Sequence, residues 1–394
     1  MTDILKISKE AQERLIEMRR ELHAIPEIGG ELPETRKYVC NQLDSMGIPY
    51  TLNKSDDGII AEIKGAKSGK TLGIRADMDA LNVFEETDVP FASRFEGKMH
   101  GCGHDVHTAI LLSAADILNK NKDYLKGNIK LIFQTGEETG TGAVAMIKEG
   151  ALNGVDAICG LHVGNLTGED LKPGTLTVVS GPATAGKVKF SIKILGKGTQ
   201  TAYPQRGIDP IMIGVKIIER TKKMIEEELK GENVIFAVGS FNAGEDHNTI
   251  PETAVLKGSM RAQSVKARDY AAKRFAEICK ETSESFGGSV DANVILGSIP
   301  IINDSELAAM AVGALNKIID SSLIATEPAE PLMGSDDFWR YTEKIPALYY
   351  FLHTNNFEKG IKEVNHNPRF DVDEDVLYLG VAAHLAIVNE YLNN

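Results

Sequence analysis

Apolar and polar positions recur with two different periods along this chain, and the arrangement changes partway. Residues 8–24 place apolar side chains on one helical face and charges on the other, which predicts an amphipathic helix. The apolar runs IIAEIKG (59–65) and TLGIRAD (71–77), each containing or adjoining glycine, predict strands. VHTAILLSAADILNK (106–120) predicts a helix, NIKLIFQ (128–134) a strand, TGAVAMIKEGAL (141–152) a helix and DAICGLHV (156–163) a strand. Strands alternating with helices predict an α/β sheet covered by helices on both faces.

Near residue 184 the pattern changes. KVKFSIKILG (187–196) alternates apolar and polar, as a half-exposed strand does. A helix is predicted over 208–229, then strands at FAVGSFNAG (236–244) and TAVLKGSMRA (253–262), a helix over 265–286 and a strand over 289–296. The order β-α-β-β-α-β is that of a ferredoxin-like unit. After residue 298 the first pattern returns, with a helix over 304–319, the strand ALYYFL (347–352) and a last helix over 375–392. The expected architecture is therefore α/β with two domains. A mixed-sheet α/β domain of residues 1–183 and 299–394 carries an inserted ferredoxin-like α+β domain of residues 184–298.

Composition narrows the function classes. A chain of 394 residues exceeds what one hydrophobic core usually serves, and 42% apolar with 25% charged residues is ordinary for a globular protein. The 56 acidic residues outweigh the 43 basic ones, a formal charge of −13 that argues against nucleic acid as a partner. The opening MTDILKISKEAQERL is charged throughout and has no secretory h-region, and no apolar run reaches bilayer length. Cys40, Cys102, Cys159 and Cys279 are far apart and form no CxxC, which reads as reduced thiols in a cytoplasmic enzyme.

Four short segments carry the candidate chemistry. His100-Gly101-Cys102-Gly103-His104-Asp105-Val106-His107 packs a thiol and imidazoles together before a predicted helix, a donor set suited to a transition metal. Its ordinary alternative is a loop entering a helix, with Asp105 as the cap. Gln134-Thr135-Gly136-Glu137-Glu138-Thr139-Gly140 sets two carboxylates at the end of a predicted strand, where α/β enzymes gather catalytic groups. One carboxylate there suits a metal and the other a general base; taken alone, a solvated acidic turn is the commoner reading. Gly160-Leu161-His162-Val163 and His366-Asn367-Pro368-Arg369-Phe370 each offer one histidine, at a strand end and in a loop. On its own the first reads more often as a structural histidine, and the second as part of a surface turn.

Taken together, these segments resemble the amidohydrolase branch of the aminoacylase and carboxypeptidase-type dinuclear metallopeptidases. The branch includes hippurate hydrolase, N-acyl-amino-acid amidohydrolases and plant indoleacetyl-amino-acid hydrolases. The matching segments run nearly end to end: RRELHAIPE (19–27), RADMDAL (75–81), MHGCGHDVHTA (99–109), FQTGEETGTGA (133–143), GLHV (160–163), HNTIPE (247–252), SDDF (335–338) and HNPRFDVDED (366–375). The resemblance implies metal ligands at Cys102, His104, Glu138, His162 and His366, a general base at Glu137 and an orienting aspartate at Asp77. It implies two divalent ions per chain, with Zn²⁺ or Mn²⁺ the first candidates and Co²⁺ or Ni²⁺ possible. His107 and Asp105 would support the ligands. It also implies that the inserted domain makes a homodimer and that Asn248 and Arg261 contact substrate. The implied reaction is hydrolysis of a small N-acyl amino acid to a carboxylic acid and a free amino acid.

The pattern breaks in one place. Where relatives carry Gly-Gly-His-Gly/Ala-Ala-x-Pro-His, this chain reads Gly198-Thr199-Gln200-Thr201-Ala202-Tyr203-Pro204-Gln205, with glutamine at both histidine positions. The first of those histidines stabilises the oxyanion in relatives; Gln200 keeps a donor but cannot carry charge. Asp336 replaces a usual glutamate, and His353 stands where relatives have a small residue. Two other readings stay open: a dipeptidase or carboxypeptidase of the same family, and a catalytically weakened metal-binding homologue.

Overall fold

The computed structural model describes residues 3–164, 171–328 and 330–393. The chain divides into two compact units, Met1–Ala183 with Ile302–Leu332 and Asp336–Asn394, and Thr184–Ile301 with Met333–Ser335. The boundary lies three residues beyond the expected return at 299, and a short later segment also belongs to the second unit.

The first unit is built on an eight-stranded mixed sheet. Its order is Tyr50–Leu52, Ile59–Lys64, Lys126–Gln134, Lys67–Asp77, Ala157–Gly164, Ala347–His353, Leu176–Thr177 and Ile324–Ala325. Lys126–Gln134, Lys67–Asp77, Ala157–Gly164 and Ala347–His353 are mutually parallel, and antiparallel strands flank them. All four parallel strands therefore end on one edge, which brings Asp77, Gln134, His162 and His353 to the same side.

Alternation along Lys67–Asp77 separates two environments. Leu72, Ile74 and Ala76 enter the main hydrophobic cluster with Val106, Ile110 and Leu111 of helix His104–Lys120 and Val381 and Leu385 of helix Tyr378–Asn393. Gly73 faces the other way, where an added Cβ would press on Ile158 at 3.2 Å. Arg75 points with it, into a polar cluster.

Helix Gly142–Lys148 is shorter than expected because the chain turns at Gly150, with φ 93°. Helix Pro33–Met46 was not foreseen: it buries only the narrow strip Thr35, Val39 and Leu43 and ends at Gly47 in the left-handed region.

The second unit contains a four-stranded antiparallel sheet in the order Val234–Ala243, Thr253–Ala262, Gly186–Leu195, Ser289–Leu296. Numbered by chain position the order is 2-3-1-4, the ferredoxin-like arrangement. Val188, Phe190, Ile192 and Ile194 alternate into a core shared with helices Pro210–Glu228 and Val265–Ser285. Asp209 caps the first helix by accepting from the Ile211 and Met212 N–H groups, and Ser264 caps the second.

Candidate metal centre

The helix His104–Lys120 begins at Gly103, which holds φ 86° and whose added Cβ would meet Val163 at 2.5 Å. Glycine at this place lets the loop press against the neighbouring strand end. Asp105 is not the cap. It lies in the first turn, buried, and accepts from Arg19 Nε at 3.0 Å and from His23 Nδ1 at 2.8 Å. His23 is therefore part of a buried charge network, since its Nε2 also faces Glu85 Oε1 at 3.3 Å.

The loop and the strand ends bring five side chains together. Cys102, His104 and His162 form one group and Cys102, Glu138 and His366 another, each with its donor atoms within 4.8 Å of one another. Cys102 is common to both. Its Sγ lies 3.5 Å from His162 Nε2, while His366 Nε2 lies 3.3 Å from Glu138 Oε1.

Hydrogen bonds fix which nitrogen of each ring is free. His104 Nδ1 donates to the Asp79 carbonyl at 2.7 Å, and His162 Nδ1 donates to the Val163 carbonyl at 2.8 Å. Both Nε2 lone pairs are left to point into the cluster. Among the described residues His104 Nε2 and Glu138 Oε1 are buried without a hydrogen-bond partner. Buried polar atoms without partners are costly, and two of them converging on a buried thiol fit a divalent cation. Burial pushes the Cys102 thiol well above its usual range, the reverse of what a neighbouring dication does to a thiol.

His107 is held differently. Its Nδ1 faces Asp77 Oδ1 at 2.5 Å and its Nε2 accepts the Val163 N–H at 2.8 Å, so both nitrogens are engaged. Asp77 also pairs with Arg75 and lies 3.7 Å from His104 Nε2. Burial alone would raise the Asp77 carboxyl. Arg75, then His104 and His107, outweigh it and hold the group well below the usual range.

Glu137 sits beside this cluster, its Oε1 accepting the Asp337 N–H at 3.2 Å. Burial, then the carboxylates of Asp336, Asp337 and Glu138, push it well above the usual range, while His104 draws it down. Gly136 at φ 61° makes the turn into Glu137, and Gly142 has no room for a Cβ, which would fall 1.5 Å from the Thr135 carbonyl oxygen.

Three supporting residues escaped the sequence reading. Asp79 accepts the Glu137 N–H on Oδ1 at 3.0 Å and the Glu138 N–H on Oδ2 at 3.1 Å. Arg75 directs all five of its N–H groups at Gln134, Asp77, Asp336 and Asp337. Asp337 accepts from Gln134 Nε2 at 2.7 Å and from the Ala143 N–H at 2.8 Å, and burial pushes it up to about 7. The paired aspartates of RADMDAL were the available signal for Asp79.

The other candidates lie elsewhere or do other work. Gln200 is exposed in the short strand Thr199–Gln200, which pairs with Thr249–Ile250, and the Thr201 N–H donates to the carbonyl of exposed Asn248 at 2.9 Å. Arg261 is half-buried and donates to the Met333 carbonyl at 2.7 Å; burial lowers its pKa. These three belong to the second unit. His353 is buried against the Thr177 hydroxyl, 3.0 Å from its Nε2, and burial pushes it down to about 4. His384, of the last helix and outside the candidate set, pairs with the Tyr350 hydroxyl at 2.7 Å in the core.

Residues 73–390 match the model of peptidase family M20/M25/M40. The chain belongs to that family. As an M20-family protein it is a metal-dependent amidohydrolase, and the convergent donor set supports two divalent ions. It is 35% identical over 394 residues to thermostable carboxypeptidase 2 of Saccharolobus solfataricus, covering 98% of this chain and 97% of that one. It is 34% identical over 384 residues to N-acetyl-L-cysteine deacetylase of Bacillus subtilis, covering 95% and 89%. Among solved structures, the Bacillus subtilis YXEP protein, described as a dinuclear metal-binding peptidase of the M20 family, superposes with a TM-score of 0.82 at 32% identity, over 98% of this chain and 99% of that one. Among the described residues, no helix is long and apolar enough to cross a membrane.

Proposed function

We propose that this M20 hydrolase cleaves the amide bond of N-acyl amino acids, releasing a carboxylic acid and a free amino acid. The observation that carries the reading is the convergence of the donor atoms of His104, His162, Glu138 and His366 on Cys102, with Glu137 grouped beside His104 and Glu138. Cys102, His104, His162, Glu138 and His366 would hold the two ions. Thiolate and imidazole favour Zn²⁺, and the carboxylate admits Mn²⁺, Co²⁺ or Ni²⁺. Bound there, the ions supply Lewis-acid activation of water and of the scissile carbonyl.

Glu137 takes the proton of the attacking water and returns it to the leaving amine. The Asp337 N–H aims its carboxylate. Asp77 and His107 link the helix that begins at His104 to the strand that carries His162. Gln200, standing where relatives carry a histidine, would donate to the developing oxyanion, and Asn248 and Arg261 would hold the amino acid's carboxylate, for which an arginine fork is chemically suited. A homodimer formed through the second unit and a cytoplasmic location complete the proposal; four free cysteines support a reducing compartment.

The test is turnover on a panel of N-acetyl amino acids, hippurate and dipeptides, with Zn²⁺, Mn²⁺, Co²⁺ or Ni²⁺ added to chelator-stripped protein. N-acyl amino acids should give the highest kcat/KM, and the stripped protein should be inactive. Preference for dipeptides or carboxyl-terminal residues would instead favour a carboxypeptidase, as named for one 35% identical relative. Absence of turnover with both ions bound would favour a weakened homologue.

A further inference from the structure

His366 stands in an unusual backbone state. Among the described residues only Asp3 and His366 carry a side chain at positive φ, 59° and 71°. A histidine there costs about 1 kcal/mol or more and persists only when its surroundings impose it. The residue before it supplies the constraint. Asn365 Nδ2 has two hydrogens, and it donates to the Cys102 carbonyl and to the Val163 carbonyl, each at 3.1 Å. The His366 N–H donates to the Gly101 carbonyl at 2.7 Å. One side chain therefore ties the loop of His366 to the loop of Cys102 and to the strand end of His162.

The tie reaches the ligands directly. The Val163 carbonyl that accepts from Asn365 also accepts His162 Nδ1 at 2.8 Å, the bond that leaves His162 Nε2 free. Flipping the amide would set Oδ1 against two carbonyl oxygens, so the network fixes its orientation. Oδ1 is then buried with no partner among the described residues, turned toward Gly164. Gly164 has φ 142°, and a Cβ built on it would fall 2.0 Å from that oxygen. The absence of a side chain at residue 164 is what lets the asparagine enter.

We propose that Asn365, seated against Gly164, is the positioning residue that sets Cys102, His162 and His366 at the spacing two ions require. It acts through the Cys102 and Val163 carbonyls that it binds. The inference rests on the ligand set proposed above, and its test separates the two.

The test measures metal affinity by chelator competition and the near-ultraviolet thiolate-to-cobalt absorption of Co²⁺-loaded protein, together with the Tm of metal-free protein. Asn365→Leu removes both donors; Asn365→Asp keeps the shape but not the donors; Gly164→Ala closes the seat. Each variant should bind at least one ion about 10–100-fold more weakly and alter the cobalt band, with little change in metal-free Tm. Wild-type affinity and an unchanged band in Asn365→Asp would overturn the proposal. So would an affinity loss matched by an equal loss of metal-free Tm, since that marks a role in the fold. Should the leucine variant not fold, the aspartate variant reads the same quantities. A wild-type protein that binds no ion would fail the ligand assignment instead.

Discussion

The carboxylate of Asp79 holds the turn that carries Glu137, one oxygen on the Glu137 N–H at 3.0 Å and the other on the Glu138 N–H at 3.1 Å. The same residue's carbonyl receives His104 Nδ1. A single buried residue thus fixes Glu137 and Glu138 through its carboxylate and His104 through its carbonyl. Asp79→Asn keeps one acceptor and turns an amide donor toward a backbone N–H. It should lower kcat about 10–100-fold, because charge-assisted bonds of this kind are each worth roughly 1.5–3 kcal/mol. Steady-state kinetics on the best panel substrate, with metal content checked, decides this; an unchanged kcat would remove Asp79 from the site's support.

Glu137 and Glu138 are neighbours with different surroundings, and the two should separate on substitution. Glu138 faces His366 at 3.3 Å and His104 at 4.0 Å, whereas Glu137 faces the Asp337 N–H. Glu137→Gln should reduce kcat by about 10²–10⁴-fold with metal content nearly intact. Glu138→Gln should lower metal content first. Elemental analysis beside single-turnover rates reads both, and the opposite pattern would exchange the two roles.

Gln200 offers an amide donor where relatives carry a histidine. With that donor acting on the oxyanion, Gln200→Ala should lower kcat with little change in KM. Gln200→His should match or exceed the starting rate, since a charged imidazole is the stronger donor. Full activity in the alanine variant would leave the oxyanion to the ions alone.

Acid should weaken the network behind the metal loop. Burial would raise the Asp105 carboxyl, yet Arg19 and His23 outweigh that and hold it below the usual range. A depressed carboxyl contributes its full stability above its unfolded pKa of about 3.9 and loses it as pH falls from there through its lower folded-state pKa. Arg19→Met leaves Asp105 short of its main partner and should cost about 3–5 kcal/mol at neutral pH. The gap between wild type and variant should shrink below about pH 4. Urea unfolding at a series of pH values measures it; a gap that stayed constant into acid would mean that the pair is not what the substitution removes.

Much of the candidate centre was legible because its side chains sit in short clusters at a predicted helix start and at predicted strand ends. Cys102 and His104 are two residues apart, Glu137 and Glu138 are adjacent, and His162 closes an apolar run. What the sequence concealed acts at long range. Arg75 reads as an ordinary polar position in a strand, and two of the carboxylates that accompany its burial, Asp336 and Asp337, lie more than 250 residues later. Asp336 reads as a conservative replacement, while the structure has it pairing with Arg75 and Tyr349 and capping the Phe338 N–H. Helix Pro33–Met46 went unseen because its buried strip begins with a threonine.

The position of strand Ala347–His353 has a kinetic consequence. It pairs in parallel with Ala157–Gly164, roughly 190 residues earlier, and supplies the neighbour that completes the parallel core. Contacts at such separation close late, because the intervening chain must first be brought together. The strands and helices of 186–296, contiguous in sequence, face no such delay. In pulse-labelled hydrogen exchange their amides should become protected before those of 157–164 and 347–353; simultaneous protection would refute this order. A chain halted before Ala347 would therefore hold a finished inserted unit beside a bare central strand, an edge open to pairing with other unfinished copies.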